Sequence, residues 1–380
     1  MSDDAGEPLG LYVHVPFCEV KCSYCHFAID PGAAPDSRQE RYVAALLREI
    51  DAAPADCADS IYFGGGTPSL LRRDLLQSVL RALRARFAVA PGAEVTLEAN
   101  PLDLDAAGYS AVAALGINRL SLGIQSFDDA VLREMGRLHG ADGARQAFAW
   151  ARAAGFVSVS IDLILGWPGE SEERWRRNLD AVDGLDPDHV SLYVLEVEGK
   201  TLLSHRERQG RLRLPDEDLV ADLYAETAGR LDALGLRRYE ISNFARAGHA
   251  SRHNAKYWDD APFLGFGLSA HSYLDGRRFW NAAGFGAYCL AMEERGSARA
   301  GERTLSAQER VQEALFTKLR RREGVDLAAF RCRYGVDPME EFGRKLMDAF
   351  DARLLEVEAG RLRLTDSGVL LSNEVFRALV

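Results

Sequence analysis

The sequence predicts an α/β protein in which strand and helix alternate six times, followed by a mainly helical C-terminal region. Three observations carry that expectation. Apolar, β-branched runs alternate with amphipathic stretches from residue 10 to about 236. The runs are strand-length and read as apolar on both faces, as parallel strands covered by helices must be. Each run ends in a polar or glycine-rich turn, so six distinctive loops fall at the same end of six parallel strands. Periodicity alone leaves a closed barrel, an open partial barrel and a doubly wound sheet equivalent. The polar strand ends favour a barrel, because barrels gather their working residues at the C-terminal ends of the strands.

The expected strands are Leu11–Phe17, Ser60–Phe63, Glu94–Leu97, Arg119–Ile124, Val157–Leu165 and Val190–Leu195. The first ends in a cysteine loop and the second in Gly64-Gly65-Gly66-Thr67-Pro68. The third ends in Glu98, followed by Asn100-Pro101, and the fourth in Gln125-Ser126-Phe127. The fifth carries Asp162 and then Gly166-Trp167-Pro168-Gly169, and the sixth carries Tyr193 and Glu196. Between them, helical periodicity covers Glu40–Ile50, Arg73–Phe87, Asp105–Leu115, Ala141–Ala154 and Glu172–Val182. Three glycines after a strand permit a tight turn and close approach of a ligand to the main chain. They are not a dinucleotide fingerprint, since G-x-G-x-x-G is absent.

Cys18, Cys22 and Cys25 lie within eight residues as C-x3-C-x2-C. Thiolates are the soft ligands of iron–sulfur clusters. A four-iron cluster held by three of them keeps one iron open, much as a catalytic zinc keeps one site open for substrate. Three other readings stand beside this one: a zinc site completed by His14 or His26, disulfides or free thiols, and a cluster whose fourth cysteine lies elsewhere. Zinc ligands more often come as two separated pairs. Cys57, Cys289 and Cys332 are scattered and read as small buried hydrophobes.

The 380 residues suffice for a barrel plus an appendage, and 47% hydrophobic with 27% charged residues fits a globular core. A net charge of −11 and a pI near 5.3 argue against a nucleic-acid partner held through phosphates. No run of 18 apolar residues occurs, so no spanning helix is expected. The acidic start MSDDAGEPLG does not read as a signal peptide. With clustered, unpaired-looking cysteines it places the protein in the reducing cytoplasm.

Beyond Leu202 a charged run, SHRERQGRLRLPDED, reads as a solvated loop before a helix. Tyr239 to Tyr273 holds His249, His253, His271 and several aromatics. His253-Asn254-x-x-Tyr257-Trp258 offers an imidazole that can ligate heme iron and aromatics that can pack on a porphyrin. The same residues equally describe a partly buried loop in which Tyr257 and Trp258 anchor the core and His253 bonds a backbone carbonyl. From Ser306 a capping box with Glu309 opens a helix. Helices over Leu327–Tyr334 and Pro338–Phe350 follow, then a short strand, a turn and a final helix.

C-x3-C-x2-C after an initial strand resembles the radical S-adenosylmethionine (SAM) superfamily. The longer Y-x-H-x-P-F-C-x3-C-x2-C, Tyr12 to Cys25, resembles the oxygen-independent coproporphyrinogen III oxidase-like group, and most of all its heme-chaperone branch. The resemblance runs from about residue 9 to the C-terminus. It implies a partial (β/α)6 TIM-like radical SAM barrel over 10–236 and a disordered tail over 1–9. It further implies a connecting segment with HNxxYW over 237–300 and a mainly helical, winged-helix-like domain over 301–380. In that family the open iron of a [4Fe–4S] cluster binds the amino and carboxylate groups of SAM, and reduction splits SAM into methionine and a 5′-deoxyadenosyl radical. By position, Cys18, Cys22 and Cys25 match the cluster ligands. Tyr12, Tyr24, Gly65, Gly66, Thr67, Glu98, Gln125, Arg137 and Asp162 match residues around SAM, and GGGTP is that group's form of the SAM loop. The alternatives for Glu98 and Asp162 are a salt bridge or a helix cap, and for Arg137 a solvated helix-end charge. His253, Asn254, Tyr257 and Trp258 match a pattern associated with heme. Phe27 replaces the further cysteine of the true oxidases, and no long N-terminal arm precedes the motif. Both departures point to the chaperone branch; His26 stands where Asp is common.

The resemblance implies a protein that binds heme and delivers it to an acceptor hemoprotein such as a membrane respiratory enzyme, with peripheral membrane contact. Two other readings remain. One is a radical SAM enzyme performing coproporphyrinogen III decarboxylation, methyl transfer or cyclopropanation. The other is a binding protein with a structural zinc.

Overall fold

The computed structural model describes residues 7–32, 34–197, 199 and 201–379. Of the expected tail over 1–9, residues 1–6 lie outside the described residues, and Leu9 already belongs to the first strand. The chain opens with β1 (Leu9–Val15) and the two-residue pair β2 (Phe17–Cys18) and β3 (Asp30–Pro31), which brackets the cysteine loop. The strands β4 (Cys57–Gly65), β5 (Ala88–Ala99), β6 (Arg119–Gln125), β7 (Ser158–Leu165) and β8 (His189–Val194) follow. Helices α1 (Asp36–Ala52), α2 (Arg73–Arg86), α3 (Ala106–Ala113), α4 (Asp129–Met135), α5 (Ala141–Ala153) and α6 (Glu172–Leu185) alternate with them. Each expected strand and helix is present, with ends shifted by a few residues; β5 and β4 reach well beyond their apolar cores.

The main sheet has twelve strands. Its centre is parallel, in the order β1-β4-β5-β6-β7-β8, each strand paired with the next in sequence. Six more strands extend both sides: β9 (Arg237–Glu240), β10 (Asn243–Ala245), β11 (Phe263–Phe266), β12 (His271–Leu274), β13 (Arg277–Asn281) and β14 (Arg299–Thr304). Strands β10 and β9 continue beyond β8, and β11 to β14 continue beyond β1. Among the described residues no pairing joins β14 to β9, so the sheet is open. The stretch 237–300, expected as a connecting segment, thus supplies strands to the sheet. Its strands are short and mixed in polarity, β14 being exposed at nearly every position, so no apolar run marked them.

The central strands are not apolar on both faces, which corrects the reading from sequence. Leu11, Val13, Ile61, Phe63, Val95, Leu97, Leu120, Leu122, Val159 and Ile161 are buried toward the helices. The alternate positions Ser60, Glu94, Thr96, Arg119, Ser121, Ser158, Ser160, His189 and Ser191 are also buried. Side chains alternate along a strand, so these polar groups share the other, inner face. Hydrogen bonds satisfy most of them: Arg119 to Ser158 at 2.9 Å and Ser160 to His189 at 2.8 Å are examples.

Between β8 and β9 lie α7 (Leu202–Arg208) and α8 (Glu217–Ala233). The first of these falls in the charged run expected as loop. A capping box between Thr201 and Ser204 starts it and Leu203, 2% exposed, anchors it. Two further helices, α9 (Arg252–Trp258) and α10 (Phe285–Arg295), lie within the sheet extensions.

The C-terminal part holds α11 (Ala307–Lys318), with the expected Ser306–Glu309 capping box, and α12 (Leu327–Tyr334). The helix expected over Pro338–Phe350 is two, α13 (Pro338–Phe342) and α14 (Met347–Asp351). Gly343 is a weak helix former, and the turn after it sends Leu346, fully buried, into the core. A small sheet of β15 (Val325–Asp326), β17 (Arg361–Leu364) and β16 (Leu355–Glu358) and the helices α15 (Asp366–Leu370) and α16 (Ser372–Leu379) complete the chain. Among the described residues no helix is long and apolar enough to cross a membrane.

Candidate functional site

The cysteine loop leaves the C-terminal end of β1 and is tied down on three sides. Ser23 donates its backbone N–H to Met135 at 2.9 Å and its hydroxyl to Glu134 at 3.1 Å, both at the end of α4. The Leu203 N–H donates back to Ser23 at 2.9 Å, which gives α7 a role in holding the loop. Gly32 donates to Cys18 at 2.9 Å across the β2–β3 pair. The three thiols are half-buried, and all six cysteines are free, so the disulfide alternative falls. His14 cannot complete a zinc site in this fold: Nε2 bonds the Ala28 carbonyl at 2.7 Å and Nδ1 meets the Tyr12 hydroxyl at 3.1 Å. Among the described residues, no three His, Cys, Asp or Glu side chains converge on a single ion.

Each thiol has a distinct surrounding. Cys18 Sγ lies 3.4 Å from the Thr67 hydroxyl, which also accepts from Asn100 Nδ2 at 3.1 Å. Cys22 Sγ lies 3.7 Å from Arg137 Nη1. Arg137 Nη2 in turn donates to Asn100 and to the Gly123 carbonyl, both at 2.5 Å, while its buried Nε has no protein partner. Arg137 is therefore not a solvated helix-end charge. Burial pushes the Cys18 thiol up to about 11 and raises that of Cys25; a metal's positive charge is what turns such a thiol into a thiolate. His26 and Phe27 point outward, Phe27 being 60% exposed.

The rim beside the loop is built by the ends of β4 to β7. Glu98 accepts from Tyr62 at 2.7 Å and from the Gly65 N–H at 3.2 Å. No salt bridge or helix cap occupies it, and burial pushes its carboxyl up to about 7. Asp162 accepts from Ser121 at 3.0 Å and burial pushes it up to about 6. Gly65 sits at φ +113°, in the left-handed region, and packs on His14. A Cβ on Gly66 would come within 2.8 Å of the Pro16 and Phe17 backbone, so the glycine run and the cysteine loop lie back to back. Gln125 sits at φ +70°, unusual for a non-glycine residue, just after a register shift between β6 and β7. Such strain and bulging re-aim a side chain at functional sites. Tyr24 packs edge-on to Trp167, with ring centroids 6.0 Å apart.

Tyr12 lies below this rim, stacked on Tyr62 at 6.2 Å. Below it the inner face is closed by the segment carrying HNxxYW. Glu94 accepts from the Ser251 hydroxyl and the Arg252 and His253 N–H groups at 3.1–3.2 Å, pinning the start of α9. His253 is 1% exposed, with Nδ1 at 3.1 Å from the Ser60 hydroxyl and Nε2 at 2.8 Å from the Tyr257 hydroxyl. Both ring nitrogens are engaged, and burial lowers its pKa to about 3. As folded, His253 has no lone pair to offer a heme iron. Its partners are side-chain hydroxyls rather than the backbone carbonyl expected in the alternative reading. Tyr257 follows one turn later, Asn254 is half-buried, and Trp258 lies under the Arg320 guanidinium at 4.5 Å. His253 sits against Gly10, at the opposite end of β1 from the cysteine loop.

Two residues of the rim escaped the reading from sequence. Tyr62 is signalled by alternation, since Ser60, Tyr62 and Gly64 share the inner face of β4. Asn100, seen only as a strand-end residue, links Thr67 to Arg137. Three thiols on an anchored loop, a buried carboxylate, an unpartnered guanidinium nitrogen and a glycine cradle together fit a sulfur-ligated cluster and a small zwitterion beside it.

Residues 12–182 match the Radical SAM superfamily and residues 305–371 match the HemN C-terminal domain. The solved structure of the radical SAM enzyme coproporphyrinogen III oxidase (HemN) from Escherichia coli superposes with a TM-score of 0.86. That likeness covers 99% of this chain and 90% of that one, at 24% identity, and speaks for the fold. The α/β fold and the three-cysteine loop define a radical SAM protein. Heme chaperone HemW of Mycobacterium tuberculosis is 38% identical over 99% of this chain and 95% of its own length. That of Bacillus subtilis is 33% identical over 97% and 98%. The chain belongs to the HemW family of heme chaperones.

Proposed function

We propose that this chain carries heme in the cytoplasm and delivers it to an acceptor hemoprotein such as a respiratory enzyme, using a [4Fe–4S] cluster and SAM. The observation that carries the reading is the anchored three-thiol loop beside Arg137, in a chain 38% identical to a HemW heme chaperone over 95% of that protein's length. Cys18, Cys22 and Cys25 would hold the cluster. When bound, the cluster offers an open iron for the amino and carboxylate groups of SAM and the electron that cleaves it. Glu98 supplies an acceptor for the amino group of SAM, and Thr67 and Asn100 keep Arg137 against Cys22. Asp162 and Gln125, further around the rim, suit the hydroxyls and ring nitrogens of a nucleoside. Tyr12 lies beneath this set and Tyr24, packed on Trp167, beside it.

Protein reconstituted anaerobically with iron and sulfide, then loaded with heme, should transfer it to an apo-hemoprotein, read as growth of the acceptor's Soret band. A Cys22→Ser variant should fail to take up about four irons per chain. Failure of transfer, or stoichiometric conversion of coproporphyrinogen III to protoporphyrinogen, would replace the chaperone reading with that of a radical enzyme.

A further inference from the structure

We propose that a series of tyrosines, from Tyr62 beside the rim to Tyr334 in the C-terminal part, is a relay that carries an oxidising equivalent from the cluster site to the surface. The inference rests on the cluster-and-SAM reading above and gives the HNxxYW segment work other than ligating iron. Tyr62 and Tyr12 stack beside Glu98, with ring centroids 6.2 Å apart. Tyr62 stacks on His253 at 5.2 Å, and His253 meets Tyr257 edge-on at 5.3 Å. Tyr257 meets Phe263 at 4.7 Å, and Phe263 meets Tyr273 at 6.3 Å. Tyr273 and Tyr334 both donate to Asp260, and Tyr334 is partly exposed.

Ring contact alone is ordinary core packing. The second observation lies at the hydroxyls, each of which is bonded to a group that can take its proton. His14 Nε2–H donates to the Ala28 carbonyl at 2.7 Å, so Nδ1 turns its lone pair to the Tyr12 hydroxyl at 3.1 Å. Tyr62 donates to Glu98 at 2.7 Å, Tyr257 lies 2.8 Å from His253 Nε2, and Tyr334 donates to Asp260 at 2.7 Å. Burial raises the pKa of all five phenols, so none ionises unaided. A phenol that loses an electron becomes a strong acid, and a bonded base lets electron and proton leave together. Off the path, Tyr42 and Tyr224 donate to backbone carbonyls, which cannot take a proton. Tyr239 and Tyr288 have a histidine and a carboxylate as partners but, among the described residues, no ring contact to this series.

The oxidant is a carbon-centred radical, the class that SAM cleavage yields. One C–H bond forms on it with an electron from Tyr62 and a proton from the carboxylic acid of Glu98, and the phenolic proton replaces that proton on Glu98. Tyr257 then gives an electron to Tyr62, its own proton moving to His253 Nε2. Tyr273 and Tyr334 repeat the exchange over Asp260, each phenol recovering its proton as it is refilled. A thiol in solution refills Tyr334; its proton, released to water, restores Glu98, and two thiyl products join as a disulfide. Several short hops outrun one long one because electron tunnelling falls exponentially with distance.

The test runs the relay in reverse. Full-length, cluster-loaded protein carries a ruthenium polypyridyl photo-oxidant on Cys332, the exposed cysteine among the described residues, close in sequence to Tyr334. The cluster is reduced, excess reductant is removed, a laser flash oxidises the label, and the return of the oxidised cluster's visible absorbance is timed. Tyr257→Phe and Tyr273→Phe, made separately, should each slow that return about tenfold or more, since phenylalanine raises the barrier to the hop. Tyr224→Phe should leave it unchanged, and iron and sulfide content should be the same in all three. An unchanged rate in the first two variants, an equal slowing in the third, or no cluster oxidation in the unaltered protein would overturn the relay while the cluster reading stands. If the unaltered protein takes up no iron and sulfide, that reading falls and the relay with it.

Discussion

Glu98 is a carboxylate whose environment was set by strands far apart in sequence. Burial raises its pKa from 4.5 to about 7, and the Tyr62 and Gly65 donors offset only part of that. A raised folded value means that the folded state holds the proton more tightly than the unfolded chain. Its contribution to stability is complete below about 4.5 and is lost as pH rises through about 7. In ligand-free protein, Glu98→Gln should therefore raise stability at pH 8 by about 1–2 kcal/mol and leave it unchanged at pH 4. The same variant should weaken SAM binding measured by calorimetry. Equal stability of the two proteins across that range would show that Glu98 is solvated rather than buried. The residue was visible in the sequence as a strand-end carboxylate, but its partner Tyr62 was not. That partner is set by inter-strand register, which pairs Tyr62 of β4 with Tyr12 of β1 and Thr96 of β5.

At the scale of elements, the contact between the glycine run and the cysteine loop decides whether the thiols stay in place. A Cβ at Gly66 would press on the main chain of Pro16 and Phe17, which cannot yield as a side-chain end would. Gly66→Ala should lower iron and sulfide uptake sharply and cost about 1–3 kcal/mol by chemical denaturation. Gly184→Ala, in α6 with nothing within 4 Å of the new methyl, should be neutral or mildly stabilising. Normal cluster content in the Gly66 variant would mean that the two loops adjust independently. The β/α alternation that builds this contact was legible because buried strands and amphipathic helices have different periods. The helix α7 was not, since its charged surface hides a single buried Leu203 and a capping box. The strands β9 to β14 were hidden for a related reason: their pairing on sheet edges needs no continuous apolar run.

Across the whole molecule, Asp260 is the joint between the sheet and the C-terminal part. Its side chain is 7% exposed and accepts from the Tyr273 and Tyr334 hydroxyls, with Arg310 at 3.4 Å and Arg333 at 3.7 Å. Removing it leaves two part-buried hydroxyls and two guanidiniums short of an acceptor. Asp260→Ala should destabilise the protein by about 1–3 kcal/mol, the cost of leaving hydrogen-bond donors without their acceptor. Amide exchange should speed up first in residues 305–371 and only later in the central strands. Uniform acceleration along the chain would mean that the two parts unfold as one unit.

The order of strands and helices, the C-x3-C-x2-C loop and the GGGTP turn needed nothing beyond local chemistry: period, turn-formers and soft ligands are properties of short stretches. Tertiary structure alone decided which way the alternate positions of the strands face. It turned Ser60, Glu94, Arg119 and His189 into a buried polar interior where uninterrupted apolar strands were expected. It also sent His253 inward to Ser60 and Tyr257 rather than outward to a ligand. A histidine's role depends on which groups satisfy its two nitrogens, and those groups come from β4 and α9, brought together only when the sheet folds round them.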